Sequence, residues 1–202
     1  TYEFGKQNSY PAFWIKKISV SSKAGASPNS GDIAGLISNI TSNQAMIGKP
    51  TTVELSGNFP GMEITDLTTK LSIDNTKEKS LITFDFKMGS YPLAEHQLIA
   101  SPEVQIGFNK AYGSLTTKGE LHGLQDFKFK MINNISKIDY KVSAKNEVVD
   151  SVVKNVFNGI NLVTINASGD GELPDVAIDI HSNLGEALQK GFEAQLNKKI
   201  DE

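Results

Sequence analysis

The sequence predicts a mainly β fold: an antiparallel curved sheet or a two-layer sandwich of meander strands, with a short helix near 147–158 and a C-terminal amphipathic helix near 183–200. Three observations carry this. Apolar and polar residues alternate along most of the chain, turn-forming residues separate the runs, and only two segments switch to helical spacing.

The alternation is seen in Val53 and Leu55, in Leu71 and Ile73, and in Ile82, Phe84, Phe86 and Met88. It returns at Val104, Ile106 and Phe108, at Phe127, Phe129 and Met131, at Ile138, Tyr140 and Val142, and at Val176, Ile178 and Ile180. Each run therefore has one apolar face, and its Thr, Ser, Lys and Asn face is expected to meet water. Turns are expected at Pro28-Asn29-Ser30-Gly31, Asn58-Phe59-Pro60-Gly61, Asp74-Asn75-Thr76, Tyr112-Gly113, Asn133-Asn134 and Gly169-Asp170-Gly171. Short connections of this kind pair sequential strands antiparallel. Thr51 to Gly57 faintly echoes Thr116 to Gly123, and Ser9-Tyr10-Pro11 echoes Ser90-Tyr91-Pro92, as strand-rich sequences drawn from a restricted alphabet do.

The two helical segments have recognisable ends. From Asn146 to Gly159, Val149, Val152, Val153, Val156 and Phe157 fall on one stripe, with Asn146 placed to cap the start and Gly159 the end. From Asn183 onward, Leu184, Ala187, Leu188, Gly191, Phe192, Leu196 and Ile200 share a face. Asn183 with Glu186 resembles a capping box, and Lys198 and Lys199 sit where the helix dipole favours cations.

At 202 residues the chain is long enough for one β-rich domain spanning 1–202 to bury a core without staples. It has no cysteine, which removes disulfides, thiolate-bound metal and thiol catalysis. The net charge is -3 and the sequence contains lysine but no arginine, the usual bidentate reader of phosphate and guanine, so no nucleic-acid partner is expected. No apolar run reaches the roughly 18 residues of a membrane-spanning helix. The chain opens on Thr1-Tyr2-Glu3, as expected of a fragment or a processed product, so any membrane attachment would come from segments absent here.

The sequence assigns no catalytic residue, metal ligand or cofactor. Gly48-Lys49-Pro50-Thr51 departs from a phosphate loop at Asn43 and Pro50 and reads as a strand lead-in. His96, His122 and His181 lack partners at metal-ligand spacing, and no nucleophile elbow is present. The acidic stretch Asp170-Gly171-Glu172-Leu173-Pro174-Asp175 could offer oxygens to calcium, but it lacks an EF-hand pattern and reads as a solvated turn. Tyr10, Phe13 and Trp14 are the candidate ligand or interface residues, as a sugar-stacking platform or, more simply, as the anchor of a first strand. The expectation is a protein that is not an enzyme.

Two stretches carry a family resemblance. Asp32-Ile33-Ala34-Gly35-Leu36 leading to Ile47-Gly48-Lys49-Pro50-Thr51-Thr52, and Ser182-Asn183-Leu184-Gly185-Glu186-Ala187-Leu188, resemble an uncharacterised family of large Gram-negative envelope proteins similar to the AsmA and TamB type. The resemblance implies a fragment of a longer periplasmic or cell-envelope protein, with antiparallel strands forming an apolar face that serves lipid handling or outer-membrane maintenance. It carries over no catalytic residues, and the implied partner is lipid or another envelope protein. The competing reading is a carbohydrate- or protein-binding β-sandwich module.

Overall fold

The structure, a computed structural model, describes residues 10–200, with backbone alone for 198–200. Thr1-Tyr2-Glu3 and Ser9, and the side chains of Lys198, Lys199 and Ile200, lie outside the described residues. Ten strands form one antiparallel sheet: β1 (Trp14–Ser22), β2 (Asp32–Thr41), β3 (Thr51–Phe59), β4 (Ile64–Asp74), β5 (Leu81–Leu93), β6 (His96–Ala100), β7 (Val104–His122), β8 (Asp126–Ala144), β9 (Leu162–Glu172) and β10 (Asp175–Ser182). Their order is β1-β2-β3-β4-β5-β7-β8-β9-β10, with β6 adding to the β5 side of β7. The architecture is an open sheet, not two packed layers, because every described strand belongs to this single meander.

The connections show where glycine and asparagine act as turn formers and where they do not. The chain turns at Ser27–Ser30, where Ser30 N donates to Ser27 O at 3.0 Å, and at Pro60–Met62. At Asp74, the carboxylate accepts from Thr76 N and Oγ1 at 2.9 and 2.6 Å. Three expected turns are instead strand interior: Tyr112-Gly113 lies within β7, Asn133-Asn134 within β8 and Gly169-Asp170-Gly171 within β9. The physical reason is contact between strands. Gly113 sits under the Tyr91 ring and Gly169 under the Phe129 ring, where a Cβ would collide. Asn133 Oδ1 accepts from Tyr91 Oη at 2.9 Å, and Asn134 Oδ1 accepts from Thr164 Oγ1 at 2.8 Å. The turn between β7 and β8 falls at Gly123 and Leu124, both at positive φ, the geometry of a tight hairpin.

Among the described residues three α-helices accompany the sheet. The four-residue α1 (Gln44–Ile47), not foreseen in the sequence, is capped by Asn43 and ended by Gly48 in the left-handed region, after which Lys49-Pro50 leads into β3 as expected. In α2 (Glu147–Asn158), Asn146 accepts from Val148 N and Val149 N, and Gly159 closes the helix in right-handed geometry. Helix α3 (Leu184–Ile200) starts differently from a capping box: Asn183 Oδ1 accepts from Thr164 N at 2.8 Å and its amide donates to Leu162 O. The side chain thus ties the helix to β9, and Ser182 Oγ accepts from Leu184 N instead.

The core is small and sits at one end. Val153 and Phe157 of α2 pack with Ile106, and around them gather Val104, Tyr140, Val142 and Leu188. Phe157 meets Tyr140 edge-on at 5.3 Å, and Gly191 lets α3 approach Val156. Asp150 anchors α2 by accepting from Ala144 N and Lys154 Nζ, bonds that hold its carboxyl below the usual range, Lys154 first. The Tyr140 hydroxyl is buried with no hydrogen-bond partner, and burial pushes its pKa up. Tyr140→Phe keeps the ring and removes an unsatisfied group, so it is expected to raise stability by about 1 kcal/mol, read as a higher urea midpoint; a lower midpoint would show that the hydroxyl has a partner.

Candidate functional site

Pairing register converts the alternation along each strand into rows across the sheet. Ile18, Ile37, Val53, Leu71, Phe84, Gly119, Phe129, Gly169 and Ile178 are successive cross-strand partners from β1 to β10. Because paired residues project from the same side of a sheet, they form one line across it. Two positions along lies a parallel row: Val20, Gly35, Leu55, Thr69, Phe86, Thr117, Met131, Ala167 and Ile180. On the other flank, Thr51, Ile73, Ile82, Leu121, Phe127, Gly171 and Val176 continue the face from β3 to β10. None of these positions carries a charge.

The opposite side is the reverse. Glu54, Lys70, Asp85 and Lys118 are successive partners, and Lys118 Nζ lies 2.9 Å from Asp85 Oδ2. Glu120, Lys128 and Asp170 follow in the next row. A depression of about 880 Å³, open rather than enclosed, is lined by Lys118, Glu120, Lys128 and Asp170 together with the apolar Phe129, Ile132 and Ile178.

The apolar face has no cover from a second layer among the described residues. Ile37, Val53, Leu71, Phe84, Phe86 and Phe129 all remain half-buried, and at the β10 edge Ile178 and Ile180 are 64% and 65% exposed. Phenylalanine rings pave its centre, Phe127 lying 6.5 Å from Phe84 and 5.6 Å from Phe129 in stacked arrangements. Soluble proteins rarely leave contiguous apolar patches beyond a few hundred Å² open to water, and larger ones mark binding sites.

Of the residues singled out in the sequence, Trp14 falls on β1 two strand positions from Lys16 and four from Ile18, hence on the apolar side of that strand. Lys16 Nζ sits 5.0 Å from its ring centre, and its indole N–H is enclosed without an acceptor. Phe13 precedes the strand, is 50% exposed, and offers its carbonyl to Thr41 Oγ1 at 3.0 Å; Tyr10 is 80% exposed. Among the described residues no ring stacking joins these three. The face itself was not identified as a site in the sequence, where its residues look like ordinary strand core; only the pairing order and the missing second layer distinguish it.

The polar clusters have a different character. Glu63 accepts from Tyr112 Oη at 2.7 Å and Lys110 Nζ at 3.1 Å. The Tyr112 hydroxyl, then Lys110, holds Glu63 below the usual carboxyl range, while Tyr112 and Glu63 raise Lys110. Both groups are thereby fixed in their charged forms, the opposite of the near-neutral pKa that proton transfer at physiological pH requires. His122 pairs with Glu120 at 3.4 Å and His181 with Asp179 at 2.8 Å, on separate strands. His96 lies 6.2 Å from the Phe108 ring, and Asp170 of the acidic stretch faces Lys128 at 3.6 Å. Among the described residues no cluster of three metal-ligating side chains occurs, and no helix is long and apolar enough to cross a membrane.

No protein-family model, curated protein or solved structure matches this chain.

Proposed function

We propose that this chain is a non-catalytic β-domain of a cell-envelope protein, in the periplasm of a Gram-negative bacterium, whose apolar sheet face receives lipid acyl chains. The observation that supports the binding role is the half-exposed apolar face running through nine strands, whose cross-strand rows carry no charge. An acyl chain suits such a surface because it demands length and apolarity and no directional partner, which is what rows of Ile, Leu, Val and Phe supply. Each buried methylene contributes about 0.8 kcal/mol. The envelope location rests on the family resemblance of Asp32–Leu36, Ile47–Thr52 and Ser182–Leu188 alone.

The test is native mass spectrometry of the protein purified without detergent, then mixed with a phospholipid carrying two palmitoyl chains. A stoichiometric adduct is expected, and Leu71→Asp with Phe84→Asp, two adjacent partners at the centre of the face, should weaken it at least about tenfold by placing charge under the chains. Far-ultraviolet circular dichroism checks that the double variant remains folded. An apo mass at every lipid concentration would overturn the reading, and a dimer mass without lipid would assign the face to a second copy instead.

A further inference from the structure

The two outermost strands of the sheet are complementary to one another. Among the described residues β1 pairs only with β2 and β10 only with β9, so each leaves a row of backbone donors and acceptors on its outer side, a ready template for another strand. They are matched in length, nine residues against eight. They differ in charge: β1 carries Lys16 and Lys17 and no acid, whereas β10 carries Asp175 and Asp179 and no lysine. Lysines on an edge ordinarily protect it from pairing, but here the opposite edge of the same molecule bears the countercharge.

We infer that β10 of one molecule pairs with β1 of the next, continuing the sheet head-to-tail through copies of this chain. The nine-strand path is antiparallel at every step, so β1 and β10 run in the same direction and join as a parallel pair when successive copies share one orientation. In that arrangement both apolar rows run on without a break, Ile178 and Ile180 of one copy lying beside Ile18 and Val20 of the next. The charged side brings Asp179, whose side chain is 65% exposed, toward Lys17. Symmetric alternatives are disfavoured by the same charges: β1 against β1 sets lysine near lysine, and β10 against β10 sets aspartate near aspartate. A heterologous contact of this kind is not closed by two molecules and propagates. Pairing at the edges is independent of what covers the apolar face.

Sedimentation velocity over a concentration series at low salt tests it. The expected result is association that grows with concentration past the dimer and weakens as salt is raised. Lys17→Glu alone and Asp179→Lys alone should each weaken association about tenfold or more, because each sets like charges together. An equimolar mixture of the two variants should recover it, since the glutamate edge of one then meets the lysine edge of the other. A wild-type protein that stays monomeric, a closed dimer, or assembly untouched by both reversals would overturn the inference. Failure of the mixture to recover would do the same.

Discussion

Phe157→Ala is expected to cost about 3–5 kcal/mol, the range found when a large buried aromatic side chain is removed and its site cannot fully collapse. Little of this protein is deeply buried. Among the described residues eight apolar ones form the fully buried set, and four of them, Val153, Val156, Phe157 and Ile160, belong to α2 or the turn that leaves it. Phe157 is 5% exposed, packs edge-on against Tyr140, and belongs to the same cluster as Ile106 of β7 and Leu188 of α3. Its loss therefore disturbs packing against three other elements, β7, β8 and α3, at once. Urea unfolding followed by circular dichroism should show one transition moved to a lower midpoint with its slope unchanged. A second, earlier transition would mean that the helical end unfolds apart from the sheet, and an unmoved midpoint would show that the sheet's stability lies elsewhere.

The division between this end and the open face also explains what could be read from the sequence. Alternation such as Ile82, Phe84, Phe86 and Met88 is a local property and marks a strand wherever it pairs, so β3, β4, β5, β10 and both longer helices were legible, whereas β6 and β9 were not. The lengths of β7 and β8 were not. Along β8 the apolar positions are Phe127, Phe129 and Met131, then Ile138, Tyr140 and Val142; the phase changes, and the sequence reads as two strands. One continuous strand absorbs that change where Lys137 adopts φ of 51° and the ladder to β7 is irregular around Lys110. Gly113 and Gly169 misled in another way, because a glycine needed for the close approach of an aromatic ring is indistinguishable, in one sequence, from a glycine that turns the chain. The candidate site was illegible for a deeper reason. A strand with one apolar face implies a cover, and whether a second layer supplies it depends on strand order, which no local pattern encodes.

Gly119→Val is expected to destabilise the protein by about 1–3 kcal/mol, the usual cost of forcing side-chain atoms into an occupied position. Gly119 stands in the central row with Phe84 on one side and Phe129 on the other. The Phe84 ring lies across it, so that an added Cβ would strike the ring and come within 2.9 Å of the Lys128 carbonyl oxygen. The ring could escape by swinging outward, but the carbonyl belongs to the ladder and cannot move without disturbing the β7–β8 pairing. Valine is otherwise a good strand residue, and on an ordinary exposed strand position it would be tolerated or favoured. Ile178→Val supplies the control: it lies in the same row but is 64% exposed, and should change stability by no more than about 0.5 kcal/mol. If Gly119→Val unfolds at the wild-type urea midpoint, the phenylalanine does not rest on the glycine, and the flat aromatic centre of the face must be redrawn. If it is destabilised while Ile178→Val is not, the face is built by ring-over-glycine packing within the sheet itself, which is how a surface with no second layer keeps its large side chains half-covered.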